Sequence, residues 1–574
     1  MRPTPLLTCV LVLGGCSAGG PALREPPPPT VGPAAERPEP FDVIIQGGRV
    51  VDGTGNAWFH GDVGIRGERI EVVVPAGMLA SREAEIRIDA EGMVVAPGFI
   101  DIQSHSRTSF LPGGDGRVVS KVTMGVTTEI MGEGTTNAPS TPTMLGAAGR
   151  EAGRSRFARF GEWMAAMERQ GAGVNFGSFI GASTVRVVGM DRRMGAAGAD
   201  EIEAMRVAVR QSMEDGAFGI ASALIYPPGN FASTDELVAI SEAAAPYGGI
   251  YITHLRSEAD RLLEAIDEAI EIGTRAGLPV EIYHLKAAGQ RNWDKAAAAV
   301  AKIDSARAAG VDVQANMYPY TAGSTGLAAC FPPWASADGL LFRNLESADA
   351  RARIRVEVEA DSGEWENLCT LSTPEGTLLL GLARPEHRRF VGRYLSDVAE
   401  ELGKDWIDAA MDLVLAERSD IDTVFFMMNE ENVATQMRAP WMKFGTDAGG
   451  QDPVTATDPV HPRAYGTFAR ILGRYVRQEG VLELEDAVRK MSSAVATRLG
   501  IRDRGLLTPG YFADLVVFDP DAVIDHATYE DPHRVSTGVE HVFVNGVAVM
   551  LEGRVTGALP GRAVRGPGWS GNPR

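Results

Sequence analysis

The sequence has little positive charge and no long apolar run near its start, and each shortage excludes a class of protein. Lysine and arginine total 55 against 75 aspartates and glutamates, which gives a formal net charge of −20. A strongly acidic chain is a poor partner for nucleic acid or for an anionic membrane surface. The apolar stretch at residues 6–13 is too short to cross a bilayer as a helix.

Cysteine is also scarce, with four in 574 residues. Cys16 ends the run Leu13-Gly-Gly-Cys16, and small residues before a cysteine resemble the lipobox of bacterial lipoproteins. The resemblance implies a signal peptide over 1–15, a lipid anchor on Cys16, and export to the periplasm or outer membrane. An ordinary secretory signal with an incidental Cys16 is the alternative. Only Cys330 and Cys369 remain afterwards, and we predict no disulfide because the sequence gives no geometry for their pairing.

Differences in composition predict the organisation of the rest of the chain. The proline-rich residues 16–40 are typical of an extended tether. Short β-rich runs at 41–97 and 505–565 predict a small β-sandwich built from both chain ends. Between them, 98–504 alternates β-rich and helical segments, which predicts an α/β fold of the (β/α)8 or TIM-barrel type. The charged stretch 335–400 interrupts this alternation and is either a lid over the active site or a surface excursion.

Residues of metal-ligand type stand at the ends of strand-like runs that lie far apart in the sequence. They are His105, Glu133, His254, His284 and Asp447. Residues that converge from the C-terminal ends of several strands form the active site of a (β/α)8 barrel. Imidazole and carboxylate together suit a divalent metal such as zinc, which indicates metal-assisted hydrolysis.

Longer motifs relate the chain to a known family. They are GAFGIASALIYPPG (216–229), THLRSE (253–258), YHLKAAG (283–289), YPYTAGST (318–325), HPRAYGTF (461–468) and PGYFADLVVF (509–518). In this order they resemble the N-acyl-D-amino-acid deacylases, or D-aminoacylases, of the amidohydrolase superfamily. The resemblance spans nearly the whole mature chain. It implies a β-sandwich beside a barrel, and a zinc-dependent hydrolase that cleaves the N-acyl amide of N-acyl-D-amino acids or related small amides.

The resemblance also implies a metal site, with one departure. Glu133 is the nearest candidate for the family's usual cysteine, and it completes a metal position with His254 and His284. Gln103 replaces the first histidine of the superfamily's His-x-His motif, so that only His105 remains of the pair. A neutral amide oxygen is a poor zinc ligand, and we therefore expect one tightly held zinc rather than two.

The remaining roles concern the proton and the substrate. Asp447 matches the family's catalytic aspartate, which takes a proton from water and returns it to the leaving amine. A helix N-cap is the alternative for Asp447. Lys286, Tyr318, Ser324 and Arg463 match the positions that hold the substrate carboxylate. An arginine fork, a lysine and two hydroxyl groups suit an anionic ligand.

Two other functions stay open at this point. One is a different amidohydrolase reaction, on a cyclic amide or on a D-containing dipeptide. The other is a non-catalytic surface lipoprotein with a degenerate metal site, which Gln103 suggests. The sequence predicts a small-molecule partner, but not the acyl group, the amino-acid side chain, the preference for D or L substrates, or the oligomeric state.

Overall fold

Strands from both ends of the described chain pair in one nine-stranded sheet. The structure, a computed structural model, describes residues 39–142, 144–145, 156–191 and 193–571. The predicted signal peptide, Cys16 and nearly all of the tether lie outside these residues. Among the helices that are described, none has the length and apolar character needed to cross a membrane.

The strands are numbered in chain order. They are β1 (Phe41–Val50), β2 (Phe59–Arg66), β3 (Arg69–Pro75), β4 (Ala84–Asp89), β5 (Val94–Pro97), β6 (Phe99–Asp101), β7 (Val126–Met131), β8 (Asn175–Ser178), β9 (Ile180–Gly181), β10 (Gly219–Ala223), β11 (Ile250–His254), β12 (Val280–Ile282), β13 (Val313–Met317), β14 (Ala322–Gly326), β15 (Thr377–Leu379), β16 (Arg393–Tyr394), β17 (Asp422–Phe426), β18 (Met442–Phe444), β19 (Leu515–Phe518), β20 (Val539–Val544), β21 (Val547–Leu551) and β22 (Arg554–Val555).

Helices occupy most of the connections between strands. The α-helices span Val119–Val122, Phe160–Gln170, Ala182–Met190, Ala199–Glu214, Thr234–Ser241, Leu262–Ala276, Lys295–Ala308, Leu341–Glu346, Ala348–Ala360, Leu368–Ser372, Leu395–Leu402, Trp406–Glu417, Glu430–Met437, Arg463–Arg470, Leu484–Met491 and Ser493–Leu499. A π-helix, Ile471–Gln478, continues the helix Arg463–Arg470. Shorter 3-10 turns lie between them, including Leu327–Cys330.

The nine-stranded sheet is the predicted β-sandwich. Antiparallel pairing of β5 with β19 joins the N-terminal strands to the C-terminal ones. One edge of β1 pairs with β2. Along the other edge, the first half of β1 pairs with β4 and its last two residues pair with β5. The sheet divides into two layers at this point. Apolar side chains such as Ile45, Val63 and Phe543 fill the space inside it. Alternation of these residues with polar ones is what a half-buried strand requires.

The barrel is built from eight parallel strand positions. β6, β7 and β8 pair in that order, and β9 to β13 continue in order to β18. β8 and β9 are one strand position interrupted at Phe179. A parallel bridge between Ser104 and Ala448 closes the ring. The helix Leu262–Ala276 shows how the outer layer packs, because it buries Leu262, Ile266 and Ala269 along one stripe. The predicted (β/α)8 barrel is confirmed.

A separate unit is inserted between β13 and β18, over residues 318–441. It has its own antiparallel four-stranded sheet, in the order β14-β17-β15-β16. It also has its own apolar cluster, which includes Leu327, Leu379 and Phe425. The charged stretch 335–400 is the middle of this unit. Its strands β14 and β17 lie outside that charged stretch, so charge alone did not mark them.

A disulfide joins Cys330 to Cys369 inside the insertion. The two Cα atoms are 5.1 Å apart, and both residues are buried in the insertion's apolar cluster. The bond connects the 3-10 turn Leu327–Cys330 to the helix Leu368–Ser372. Our prediction of no disulfide was therefore wrong. The packing of the insertion brings the two residues within bonding reach, and their spacing in the sequence carries no sign of that.

Candidate active site

The five predicted metal-centre residues all lie at the carboxyl ends of barrel strands. His105 follows β6, Glu133 follows β7, His254 ends β11, His284 follows β12 and Asp447 follows β18. His284 and Asp447 have φ angles of 31° and 50°. Such left-handed conformations cost a non-glycine residue about 1–3 kcal/mol and persist where the surrounding structure enforces them. The fold therefore brings the five side chains together and holds two of them in strained positions.

Glu133, His254 and His284 direct their ligand atoms toward one point. Nδ1 of His254 lies 2.9 Å from Nε2 of His284. Oε1 of Glu133 lies 3.4 Å from the first nitrogen and 3.2 Å from the second. Two imidazole nitrogens and a carboxylate oxygen form the usual protein ligand set of a catalytic zinc, which keeps one position open. The donor set fits one divalent metal.

Glu258 contacts His284 on the side away from these ligand atoms. Nδ1 of His284 lies 2.8 Å from Oε1 of Glu258, and Nζ of Lys286 donates to the same oxygen at 2.6 Å. A carboxylate in this position fixes the tautomer that leaves Nε2 free to bind metal. Burial opposes ionisation of Glu258, but the charges of His254, Lys286 and His284 outweigh it and hold its pKa below the usual range.

The sequence suggested Glu258 only as a possible neighbour of the metal ligands, and it predicted another role for Lys286. The signal for Glu258 was its place four residues after His254 in the motif 253–258. Lys286 was predicted to bind the substrate carboxylate. In the structure its ammonium group contacts Glu258 and Nδ1 of His284, the latter at 2.8 Å. Lys286 lies beside the metal ligands while still lining the same cavity.

A second group of ligand atoms consists of His105, Glu133 and Asp447. Nε2 of His105 lies 2.8 Å from Oδ1 of Asp447 and 3.5 Å from Oε2 of Glu133. These two carboxylates outweigh the effect of burial and raise the pKa of His105 to about 9. The amide of Gln103 donates to Glu133 at 2.6 Å and to Asp447 at 3.1 Å. A histidine at position 103 would offer a second imidazole to a metal here. The amide of Gln103 instead donates hydrogen bonds to both carboxylates.

Asp447 is held in its ionised form. Its Oδ2 lies 2.7 Å from Nη1 of Arg463. Burial opposes ionisation, but the charges of Arg463 and His284 outweigh it and lower the pKa of Asp447. The next helix begins only at Arg463, so Asp447 does not cap a helix. An ionised carboxylate at the edge of a metal site has the chemistry of a proton acceptor.

Arg463 and Tyr318 form the part of the site that suits an anion. The guanidinium carbon of Arg463 lies 4.8 Å from the centre of the Tyr318 ring, and Nη2 donates to the backbone carbonyl of Ser324 at 3.2 Å. Nε of Arg463 is buried without a hydrogen-bond partner among the described residues. The guanidinium group therefore has a donor that no described residue uses.

His461 positions Arg463 and was missing from the predicted set. Its Nδ1 accepts the backbone N–H of Arg463 at 3.0 Å, so its Nε2 carries the proton and donates to the carbonyl of Ala322 at 2.9 Å. Burial and the charge of Arg463 hold the pKa of His461 well below its usual range. Its place in the motif 461–468 was the available signal. His461 is thus a neutral structural partner of the anion-binding arginine.

All of the predicted site residues line one cavity of about 510 Å³ between the barrel and the insertion. They are His105, Glu133, His254, His284, Lys286, Tyr318, Ser324, Asp447 and Arg463. The insertion contributes the facing wall through Leu368, Phe425 and Met427. A concave site of this size, with a few convergent polar groups, suits a small molecule.

Known proteins are similar in sequence to this chain over nearly their whole length. A D-aminoacylase of Alcaligenes xylosoxydans xylosoxydans is 34% identical over 92% of this chain and 98% of its own. An N-acyl-D-glutamate deacylase of the same organism is 35% identical over 92% of this chain and 97% of its own. The chain belongs to the D-aminoacylase family. A family model described as the amidohydrolase family matches residues 380–550 of this D-aminoacylase-family chain.

Solved structures of the D-aminoacylase family have the same fold. A D-aminoacylase crystal structure matches with a TM-score of 0.75 and 34% identity, covering 92% of this chain and all of the other. An N-acyl-D-glutamate deacylase from Bordetella bronchiseptica, solved with zinc and a phosphonate inhibitor, matches with a TM-score of 0.77, 31% identity and the same coverage. Another D-aminoacylase structure is described as having a binuclear metal center. The present chain is a metal-dependent amidohydrolase.

Proposed function

We propose that this D-aminoacylase-family chain is a zinc-dependent deacylase that hydrolyses the N-acyl amide of N-acyl-D-amino acids. The observation that carries the proposal is that one cavity contains a metal ligand set, an ionised acid and an anion-binding arginine. The relatives named as D-aminoacylase and N-acyl-D-glutamate deacylase support the substrate class. The bond broken is the carbon–nitrogen bond of the amide, and the products are a carboxylate and a free amino acid.

Glu133, His254 and His284 would hold the zinc, with Glu258 orienting His284. Zinc in such a site acts as a Lewis acid toward the amide carbonyl and makes water more acidic. Gln103 disfavours a second ion, so one zinc per chain should survive extensive dialysis. Metal analysis of the purified protein tests this point, and two firmly held ions per chain would contradict it.

Asp447 and Arg463 have separate roles in the proposed reaction. Asp447 accepts a proton from the attacking water and delivers it to the leaving nitrogen, which has to leave as an amine. Arg463 donates to the substrate carboxylate and thereby fixes the position of the amide, with Tyr318 packed against its guanidinium group. Ser324 completes this wall. Lys286 contributes positive charge to the cavity while orienting Glu258.

The Arg463→Ala variant tests the substrate assignment. It should weaken binding of an N-acyl-D-amino acid by about 1.5–3 kcal/mol, the range for hydrogen bonds to charged groups. The methyl ester of the same substrate has no carboxylate, so it should lose only what Asp447 loses with its ion pair, and the acid should lose more. Steady-state kinetics on the acid and the ester make this comparison. Equal losses for both would show that Arg463 acts only structurally and would remove the main physical support for an acyl amino acid.

A substrate panel separates this proposal from other amidohydrolase reactions. N-acetyl-D-amino acids, their L enantiomers, D-containing dipeptides and cyclic amides are compared on the zinc-loaded protein. The proposal expects the N-acetyl-D-amino acids to have the highest kcat/KM. A higher value for dipeptides or cyclic amides would replace the proposed substrate, and no turnover at all would favour a non-catalytic protein.

We also propose that Cys16 carries a lipid and anchors the exported enzyme at a bacterial membrane, with residues 16–40 as the tether. The Cys330–Cys369 bond supports export to an oxidising compartment. Cys16→Ser should abolish lipid attachment and leave the precursor uncleaved by lipoprotein peptidase. Metabolic labelling with a fatty acid and membrane fractionation measure this. Normal processing of the variant, with wild type in the soluble fraction, would disprove the anchor.

A further inference from the structure

A second cavity of about 370 Å³ adjoins the active-site cavity and extends along the insertion. We refer to it as the side chamber. Tyr226, Thr325 and Asp420 line both cavities, so they stand where the two meet. The apolar lining of the side chamber includes Leu224, Ala328, Phe331, Leu341 and Trp365. A substrate that reacts at the metal ligands would reach the side chamber by passing these three side chains.

Carboxylates dominate the charge of the side chamber. Glu364, Glu366 and Asp420 line it, and Arg256 is the only cation among its described lining residues. Arg256 donates from Nε and Nη2 to the two oxygens of Glu268, at 2.8 Å each. Its charge is balanced by that bidentate pair. Glu364 in turn lies 3.7 Å from Nη1 of Arg261, so the uncompensated negative charge of the side chamber belongs to Asp420 and Glu366.

Asp420 occupies the junction and has one uncommitted oxygen. Its Oδ1 accepts the backbone N–H groups of Ala328 and Ile421, both at 3.1 Å. No described cation pairs with its carboxylate. Gly326 makes room for Oδ2, because a Cβ at that position would lie 1.8 Å from it. The chain thus holds a carboxylate at the entrance to the side chamber and leaves it without a counter-charge.

Glu366 is a second carboxylate without a cationic partner in the side chamber. Its Oε1 accepts the backbone N–H groups of Glu258 and Ala259, and its Oε2 is buried with no hydrogen-bond partner in the described part of the chain. Burial and the charge of Glu258 raise the pKa of Glu366 to about 7. Partial burial raises the pKa of Asp420 as well, although its side chain stays partly exposed to solvent. A cation in the side chamber would relieve the cost of ionising both groups.

We propose that the side chamber receives a cationic group of the substrate, an ammonium or guanidinium, and that Asp420 selects it. The cation belongs either to the amino-acid side chain or to the far end of the acyl group, and the inference rests on the proposed deacylase function. Phe331 and Trp365 line the side chamber, and aromatic rings can attract a cation to their faces. An acidic side chain would be repelled, so the substrate differs from those in the names of the N-acyl-D-glutamate and N-acyl-D-aspartate deacylases.

Two matched substrate pairs test the proposal on the zinc-loaded protein. Nα-acetyl-D-lysine is compared with N-acetyl-D-norleucine, and 6-aminohexanoyl-D-alanine with hexanoyl-D-alanine. The amine-bearing member of one pair should have the higher kcat/KM, by roughly 10-fold, and the pair that shows the preference identifies which end of the substrate enters the side chamber. Asp420→Asn keeps an oxygen for Ala328 and Ile421, and it should remove that preference, so that the amine-bearing and neutral members of the pair have similar kcat/KM values.

The control variant is Asp422→Asn, which removes the same charge two residues further along, outside the side chamber. It should leave both substrate ratios as in wild type. Equal losses for charged and neutral substrates in Asp420→Asn, or no preference for the amine in either pair, would overturn the proposal. If no acyl amino acid is hydrolysed, the deacylase function fails. In that case, calorimetry measures the affinities of the same pairs and tests the side chamber independently of turnover. Equal affinities for the amine-bearing and neutral members would overturn the proposed role of the side chamber.

Discussion

The two ends of the barrel both bury charged side chains, but they arrange them in opposite ways. At the carboxyl end, ligand atoms of the same kind face one another, with two imidazole nitrogens 2.9 Å apart and a carboxylate beside them. Toward the amino end, Nζ of Lys443 lies 3.0 Å from Oε2 of Glu281, and Nε of Arg498 lies 3.0 Å from the same oxygen. At this end the buried carboxylate of Glu281 is in direct contact with two cationic side chains.

This difference separates a reactive site from a structural one. Lys443 and Glu281 are fully enclosed, and their charges compensate each other inside the protein. The carboxyl-end residues line a cavity, and the ligand atoms of Glu133, His254 and His284 lie close together there. Burial of charge alone therefore does not mark an active site, whereas convergence of metal-ligand atoms on a cavity does. Substitutions at the carboxyl end should change turnover or zinc affinity, and substitutions at the amino end should change the free energy of unfolding.

The largest expected effect is on turnover, in Asp447→Asn. The amide keeps the size of the side chain but cannot accept the proton from water, so kcat should fall by roughly 10²–10⁴-fold. Zinc content should stay at the wild-type level, because the proposed tight ligands are untouched. Steady-state kinetics and metal analysis on the same preparation measure both. A kcat near that of wild type would show that another group is the base.

The matching substitution at the amino end is Glu281→Gln. It leaves Lys443 buried without its carboxylate, and breaking a buried ion pair from one side costs about 3–5 kcal/mol. Denaturant unfolding should show this loss, while kcat/KM of the folded protein stays unchanged. Asp312→Asn is the control, since Asp312 also pairs with Arg498 but is 56% exposed and should cost less than about 1 kcal/mol. A loss of activity without a loss of stability in Glu281→Gln would remove the contrast between the two ends.

A smaller effect is expected behind the metal ligands, in Glu258→Gln. Loss of the carboxylate that orients His284 should weaken zinc affinity by roughly 10–100-fold. Competition with a chromophoric chelator measures the affinity. Glu268→Gln is the control, because Glu268 holds Arg256 away from the metal ligands and should leave zinc affinity as it is. Unchanged zinc binding in the Glu258 variant would mean that His284 is held by its backbone alone.

The smallest effect concerns pH and Lys443. Burial, reinforced by the charge of Arg498 and only partly opposed by Glu281, lowers the pKa of Lys443 to about 8. An unfolded lysine titrates near 10.4, so between pH 8 and 10 the unfolded chain binds a proton that the folded chain has released. Because of this difference at Lys443, the free energy of unfolding should rise as the pH increases from 8 to 10. Wild type should gain about 1–2 kcal/mol more than Lys443→Met between pH 8 and 10. Denaturation curves of both proteins at pH 8 and pH 10 test this prediction. The same change in the free energy of unfolding for wild type and Lys443→Met would contradict it.

The barrel and the position of its site followed from local patterns in the sequence. Each of His254, His284 and Asp447 follows a short β-rich run, and parallel strands bring such positions to one end of a barrel. Three features did not follow: the pairing of Lys286 with Glu258, the bonds that Gln103 makes to both carboxylates, and the full extent of the insertion. All three depend on contacts between segments that pack together only in the folded chain, and neither residue spacing nor hydrophobic periodicity records such contacts.

The disulfide of the insertion gives an experimenter a chemical control over one part of the enzyme. It links residues 39 positions apart, and closing a loop of that length stabilises the fold by roughly 4 kcal/mol in the chain-entropy view. Phe331, Trp365 and Glu366 all lie within that loop, whereas the metal ligands lie outside it. Because both cysteines are fully buried, a reductant needs mild denaturant to reach the bond, and its reduction should loosen substrate selection before it affects zinc. For the same reason, protein produced in a reducing cytoplasm would be a poor material for measuring substrate preference.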